Sequence, residues 1–458
     1  MNPSEQLVDH ALGVRWADVP ANARRAALTF LHDSLCVGAA GRHAAHADAV
    51  LDIARGWGSG GTAGVLGRPD VQLPPHAAAF VNGFQIHGQE YDCVHEPAVL
   101  HPMATVLSAV LAEAARAPAP VDGEAFLAAL VAGVDIAVCL GLAAGPLSFF
   151  RPATAGIFGC VAAIANLARL PRAVALDAFG HALSFASGTM QAHVEGKPAL
   201  PVQVANAARN ALVAVDLARA GMPGVRHPVD GPFGYFGLLE VEGTAQAAVA
   251  GLGVPGQRIA GRHIAEVSWK PFPTGRAGHG GIVATQRLMQ EQGLRAEELA
   301  SFTYVAPPLI HRLVGRPAHE AMEPGYARLC LAWLVAVTLT RGKVDLADFQ
   351  PATLRDPAIL ALAAKVSVVD DGNPDPAAFV PAQAIARLTD GRELRVDVTA
   401  QLGSPAWPLT DDQHRDKARG CLAFAGLPDV DAPLAALMAD FPAQPDALAA
   451  LRTTGIIG

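Results

Sequence analysis

The sequence predicts a mainly α protein with an added α+β part: an all-helical bundle, residues 1–264 completed by 401–458, and a smaller α+β domain over 265–400. Three observations predict it. At 458 residues the chain exceeds one ordinary core, so two domains are expected. Apolar residues reach 51% against 17% charged, with alanine abundant, which suits large buried helices and not a disordered chain. The hydrophobic period also changes near residue 264, from helical recurrence to strand-like alternation.

The elements follow in order. "ADVPANARRAALTFLHDSLCVGAAG" has Pro20 near its start, repeats apolar residues at Ala23, Ala27, Phe30, Leu31 and Leu35, and stops at Gly38 and Gly41. Helices are predicted over 76–92 and 103–117. "DGEAFLAALVAGVDIAVCLGLAA" and "GIFGCVAAIANLARL" are apolar almost all round, as central helices are. The run Ile136–Phe150 is the longest candidate membrane span, but it is shorter than the roughly 20 residues a bilayer needs. It also holds Gly and Pro, so it is read as buried core. "VDGPFGYFG" (229–237) fits neither a phosphate loop nor a dinucleotide loop and is read as a turn. Beyond residue 264, "ASFTYVAP" and "AKVSVVDD" alternate as strands, and "AIARLTDGRELRVDVTA" is a hairpin about Asp390-Gly391. "GIVATQRLMQEQG" and "ARLCLAWLVAVTLTRGKV" read as helices between them, and the tail returns to helix.

Composition excludes several function classes. The net charge is −8 and no basic tract is present, so no nucleic-acid partner is expected. The start "MNPSEQLVDHALGVRW" lacks a basic region followed by an apolar core, and no membrane partner is expected. The six cysteines form no C-x-x-C pair, which suits a reduced, cytoplasmic protein and argues against an iron–sulfur cluster. No G-x-S-x-G elbow is present.

Chemistry concentrates in a few stretches. "QEYDCVHEPAVLHP" (89–102) holds Asp92, Cys93, His95, Glu96 and His101 at the end of one predicted helix and the start of the next. A metal site, a thiol nucleophile, an acid/base pair and plain helix caps are the readings to weigh. The spacing matches no zinc signature, so no metal is expected. Acidic neighbours would raise the Cys93 thiol, which argues against a nucleophile. His101, before Pro102, suits a general acid or base held in one orientation. "SWKPFPTGRAGHGG" (268–281) gathers Lys270, Arg276 and His279 among prolines and glycines, fit either for carboxylates or for an interdomain connection with surface charges. Arg151, before an apolar helix, either snorkels or faces a polar cavity. Lys197 is either an exposed loop residue or part of a site.

These stretches, in this order, resemble the MmgE/PrpD family. The resemblance includes "DSLCVGAAG" (33–41), "AAFVNGFQIHGQEYD" (78–92), "HPMATVLSAVLAEA" (101–114), "RPATAGIFGCVAAIANL" (151–167) and "ANAARNALVAVDLARAGMPG" (205–224). It continues through "VDGPFGYF" (229–236), "KPFPTGRAGHGGIVA" (270–284), "LTDGRELR" (388–395) and the "GSPAWPLT" run from residue 403. It implies a helical domain completed by the C-terminal segment, an α+β lid and a homodimer. Members include 2-methylcitrate dehydratases, a cis-aconitate decarboxylase and an iminodisuccinate epimerase, acting on small polycarboxylates without metal or organic cofactor. The expected function is therefore a cofactor-free dehydratase, with epimerase or decarboxylase as alternatives and a non-catalytic carboxylate-binding homologue as a further one. Carried over by position, Asp92 matches the family aspartate, His101 the histidine of the "HP" motif and Lys270 the lysine at the head of the lid; these are the expected catalytic residues. Arg151, Lys197, Arg276 and His279 are the expected substrate-binding residues. Arg151 stands where members often carry histidine, Cys93 where a second acid is common, and Lys197 matches the mid-chain lysine with a short insertion.

Overall fold

A computed structural model describes residues 2–145, 147–253 and 259–458, so Pro146 of the apolar run lies outside the described residues. Its centre is the pair of helices Gly123–Leu142 and Gly156–Leu167, both almost wholly buried. They cross closely because neither carries a side chain at the contact. A Cβ on Gly133 would meet the Gly159 carbonyl at 2.8 Å, and one on Gly159 would meet the Gly133 carbonyl at 2.6 Å. Helix Pro102–Ala115 packs on both of this pair and Ala199–Arg219 on the second, Pro75–Gly88 packs on those two, and the C-terminal helix Asp411–Phe424 lies against the helix Ala21–Ala40.

Two expectations need correction. The apolar segment that matters for a membrane is not 136–150 but the 20-residue helix Gly123–Leu142, long and apolar enough to span, and almost wholly buried against neighbouring elements. The bundle is also not all-helical. Strands β1 (Ala63–Val65) and β2 (Arg68–Leu73) form an antiparallel hairpin whose turn places Gly67 at φ +69°. The hairpin is short, and the successive residues Pro69 and Asp70 of β2 are both exposed, so alternation is weak there.

The second sheet has the order β4-β3-β5-β6, from β3 (Leu299–Ala306), β4 (Val366–Asp370), β5 (Ala382–Leu388) and β6 (Glu393–Val398). β3 pairs parallel with β4 and antiparallel with β5, and β5 with β6. The β5–β6 turn is the one read from Asp390-Gly391, with Gly391 at φ +92°. Helices His279–Gln292 and Leu331–Arg341 pack together beside it, the former also against β6. The segment 229–239 turns and then forms a short π-helical stretch, Tyr235–Leu239.

Candidate active site

The site begins where the helix Pro75–Gly88 ends. Glu90 takes a left-handed backbone at φ +50°, costly for a residue with a side chain, and this turn lets Glu90 and Asp92 approach His87. The next helix starts at Pro102, whose ring restricts the backbone of His101. His101 occupies the N-cap position but makes no side-chain cap, which disposes of the capping reading for this residue. Its ring turns to Asp92 instead.

Asp92 is fully buried and accepts two imidazoles: His101 Nδ1 at 3.1 Å from Oδ2, and His87 Nδ1 at 3.1 Å from the same oxygen. Burial pushes the Asp92 carboxyl up, but the two histidines overcome it and hold it well below the usual carboxylate range. An ionised carboxylate only accepts, so both Nδ1 atoms carry the proton. His101 Nε2 then keeps its lone pair at the wall of an adjacent cavity. Burial, together with the charges of Lys270 and His87, lowers the His101 pKa against the pull of Asp92, so the ring is neutral at pH 7 and able to accept a proton. His87 is shifted the other way: burial opposes its charge, but Asp92 and Glu90 outweigh that and raise it.

Lys270 is fully buried and donates to Glu90 Oε2 at 2.8 Å and to the Glu90 carbonyl at 3.0 Å, with Asp92 Oδ1 at 4.0 Å. Burial would raise the Glu90 carboxyl; Lys270, then His87, bring it down to about 2. Lys270 thus lies behind Glu90, and Glu90 reaches the cavity wall.

That cavity, about 50 Å³, is mostly apolar, with Glu90, His101, Arg151, His193 and Arg276 as its charged or titratable wall. Arg151 is buried and faces it, but the guanidinium is already engaged by Glu240, Nε to Oε1 at 3.1 Å, and by the Ala98 and Gly145 carbonyls. Arg276 pairs with Glu96, Nε to Oε1 at 2.8 Å, and also donates to the Trp269 and Leu402 carbonyls. Because Arg276 and His279 are buried, the reading of this stretch as surface charge fails. His279 lines neither this cavity nor the larger one beside it; its Nδ1 accepts from Arg276 at 3.2 Å, which makes it a support for Arg276. Lys197 is half-exposed, faces Glu323 loosely at 3.8 Å and lines the larger cavity, about 250 Å³.

Sequence reasoning missed four residues. His87 and Glu90 lie within the quoted stretch 78–92 and were visible as residue types, but their convergence on Asp92 and Lys270 depends on the turn at Glu90. His193 faces the same cavity as His101. Its Nδ1 lies 3.5 Å from an Arg316 Nη2 donor, which leaves the proton on Nε2, and burial lowers its pKa to about 3. A second histidine therefore serves the cavity although position 151 holds arginine. Arg328 is the fourth, on the wall of the larger cavity.

The family models described as MmgE/PrpD N-terminal domain and MmgE/PrpD C-terminal domain match residues 5–248 and 272–431. The chain belongs to the MmgE/PrpD family. Among curated relatives of this MmgE/PrpD chain, the cis-aconitate decarboxylase-like protein oryM of Aspergillus oryzae is 27% identical over 91% of this chain and 90% of its own length. The cis-aconitate decarboxylase of Mus musculus is 25% identical over 84% of this chain and 80% of its own length, and that of Homo sapiens is 32% identical over 37% and 36%.

Two groups of side chains have metal-ligand composition, His87/Asp92/His101 and His95/His263/Glu266, each with donor atoms within 4.8 Å of one another. The first fits a cation poorly: both imidazoles present N–H to the carboxylate, and the Lys270 ammonium stands 4.0 Å from Asp92. In the second, His95 Nδ1 accepts from the Ala98 N–H at 3.3 Å, so its Nε2 carries the proton that a metal would have to displace. Cys93, beside Asp92, is buried, and burial before any charge pushes its thiol well above the usual range, which rules against an activated nucleophile.

Proposed function

We propose that this MmgE/PrpD protein is a lyase acting on a small di- or tricarboxylate, with His101 taking a proton from the carbon beside a carboxylate. The observation that carries the reading is the Asp92–His101 contact, 3.1 Å, which fixes the ring in the tautomer whose bare Nε2 faces the cavity. Asp92 orients the ring and offsets the charge it gains. Lys270 holds Glu90 as an anion and positions it, while the two histidines keep Asp92 ionised. His193 offers an Nε2–H on the same cavity, a hydrogen bond to a leaving hydroxyl or a developing enolate oxygen. The proton with which the hydroxyl departs as water is the one His101 took from carbon, and Arg151 and Arg276 add positive ends to an otherwise apolar enclosure. Dehydration uses a base and a donor together, which is what the two histidines supply. Decarboxylation is the second reading, favoured by the names of the relatives that align along most of the chain; proton return to carbon would then fall to His101 in its charged form.

The test is incubation in D₂O with C4 to C6 polycarboxylates, followed by proton NMR. The reading predicts deuterium at one carbon of one compound, lost in His101→Ala, with the product separating dehydration, decarboxylation and epimerisation. Exchange that persists in His101→Ala would contradict it.

A further inference from the structure

The cations round the site are not equally occupied. Lys270 faces Glu90, Arg276 faces Glu96 and Arg151 faces Glu240. Arg328 is as buried as these, 3% exposed, yet forms no ion pair among the described residues. Its guanidinium donates to the Gln89 carbonyl at 2.8 Å, the Pro273 carbonyl at 2.6 Å and Gln89 Oε1, and lies over Phe349 at 3.8 Å. Those neutral partners satisfy hydrogen bonds without neutralising the charge, and Glu90, the acid that acts on it from beyond ion-pair distance, is already paired with Lys270. A buried charge lacking a counter-ion is costly, and such groups gather where a charged ligand completes the set.

Space points the same way. The cavity holding His101, about 50 Å³, is well below the roughly 300 Å³ of ordinary ligand pockets. The larger cavity, about 250 Å³, shares Glu90 and Leu329 with it and carries Arg328 and Lys197 on its wall. Only the two lobes together approach the volume a ligand needs. A compound whose reacting carbon sits at His101 must place its far end in the larger lobe.

We propose that the larger lobe is a carboxylate subsite, in which Arg328 binds the carboxylate of the substrate farthest from the reacting carbon, with Lys197 assisting at the mouth. The ligand class is an elongated di- or tricarboxylate; a short dicarboxylate fills only the His101 lobe. This rests on the polycarboxylate reading above and gives it a determinant of chain length.

The test uses binding, so it does not depend on turnover. Calorimetry would compare the full-length protein with Arg328→Gln, using tricarballylate (a saturated tricarboxylate) and malonate as probes, with circular dichroism checking the fold. The expected result is a loss of about 30-fold for tricarballylate in Arg328→Gln and a much smaller loss for malonate. Unchanged tricarballylate binding, equal losses for both probes, or no tricarballylate binding by the wild type would each overturn the subsite. Should Arg328→Gln not fold, Gln350→Glu decides: it sets an acid on an exposed position of the same wall. Weakened tricarballylate binding there supports the subsite, and unchanged binding overturns it. Failure of the carbon-acid reading is distinguishable, because it would remove deuterium exchange while leaving Arg328-dependent binding in place.

Discussion

Two clusters in this protein have the same composition, two histidines and one carboxylate, and His95 of the second lies in sequence between Asp92 and His101 of the first. In His87/Asp92/His101 the carboxylate is fully buried and takes both Nδ1–H groups, leaving a bare Nε2 on a cavity. In His95/His263/Glu266 the carboxylate side chain is 42% exposed, approached by His263 Nδ1 at 2.9 Å and His95 Nε2 at 3.5 Å. His95 has already committed Nδ1 to a backbone N–H, so no lone pair of its ring is left for a substrate. His263 Nε2 faces the Gly251 carbonyl at 3.1 Å and Cys139 Sγ at 3.2 Å. Composition alone therefore does not make an acid/base site. What decides is which nitrogen the surroundings leave free, since His95 and Glu266 also line a cavity.

The comparison breaks first on activity. His101→Ala should lower kcat/KM by about 10²–10⁴-fold, whereas His95→Ala leaves it within about threefold, as steady-state rates on the identified substrate would show. Equal losses would erase the distinction. Asp92→Asn should cost roughly 10²–10⁴-fold as well, because an amide can present N–H to the ring and reverse the tautomer. Glu266→Gln, the matching change in the second cluster, should leave the kinetics unaltered and shift stability by less than about 1 kcal/mol, since solvent screens a carboxylate this exposed.

Stability sharpens the contrast further. Lys270→Met removes one partner of a buried pair, leaving Glu90 unpaired, and should destabilise the fold by about 3–5 kcal/mol in denaturant unfolding. The pH dependence has a definite sign. The folded-state pKa of Glu90 is depressed to about 2, so its contribution is full above the unfolded value near ~4.3 and is lost as pH falls toward 2. The stability gap between wild type and Glu90→Gln should therefore close over that acid range, and a gap independent of pH would contradict the pairing. For the rate, His101 has a lowered pKa, so kcat/KM should hold through neutral pH and fall only as pH drops below the ordinary histidine range.

Much of the fold was legible because its signals are local. The all-round apolar pattern of 123–142 and 156–167 announces central helices, and Asp390-Gly391 between alternating runs announces a hairpin. The β1–β2 hairpin was not legible, since its strands are short and β2 is largely polar. In the site, His101 was legible as an acid or base from its place before Pro102 and Lys270 as a carboxylate binder from its cationic stretch, and the family resemblance gave Asp92, His101 and Lys270 their catalytic roles. Their division of labour was not, because Lys270 pairs with a residue 180 positions away. His193 belongs to a short helix, Gln191–Glu195, that only tertiary packing brings to the His101 cavity. Arg328 stands out solely by a missing counter-ion, a property that no one-dimensional pattern contains. Conversely, the dense cations of 270–279 suggested free carboxylate binders, yet burial required pairing for Lys270 and Arg276, and His279 became a prop.

The central claim is that Asp92 holds His101 with a protonated Nδ1 and a bare Nε2 facing the cavity. It is tested most directly by nitrogen-15 NMR of histidine-labelled protein near neutral pH, with His101→Asn assigning the signals. The account predicts an unprotonated Nε2 and a protonated Nδ1 for His101, with the pattern altered in Asp92→Asn. A His101 ring protonated at Nε2, either as the other neutral tautomer or as an imidazolium, would contradict it.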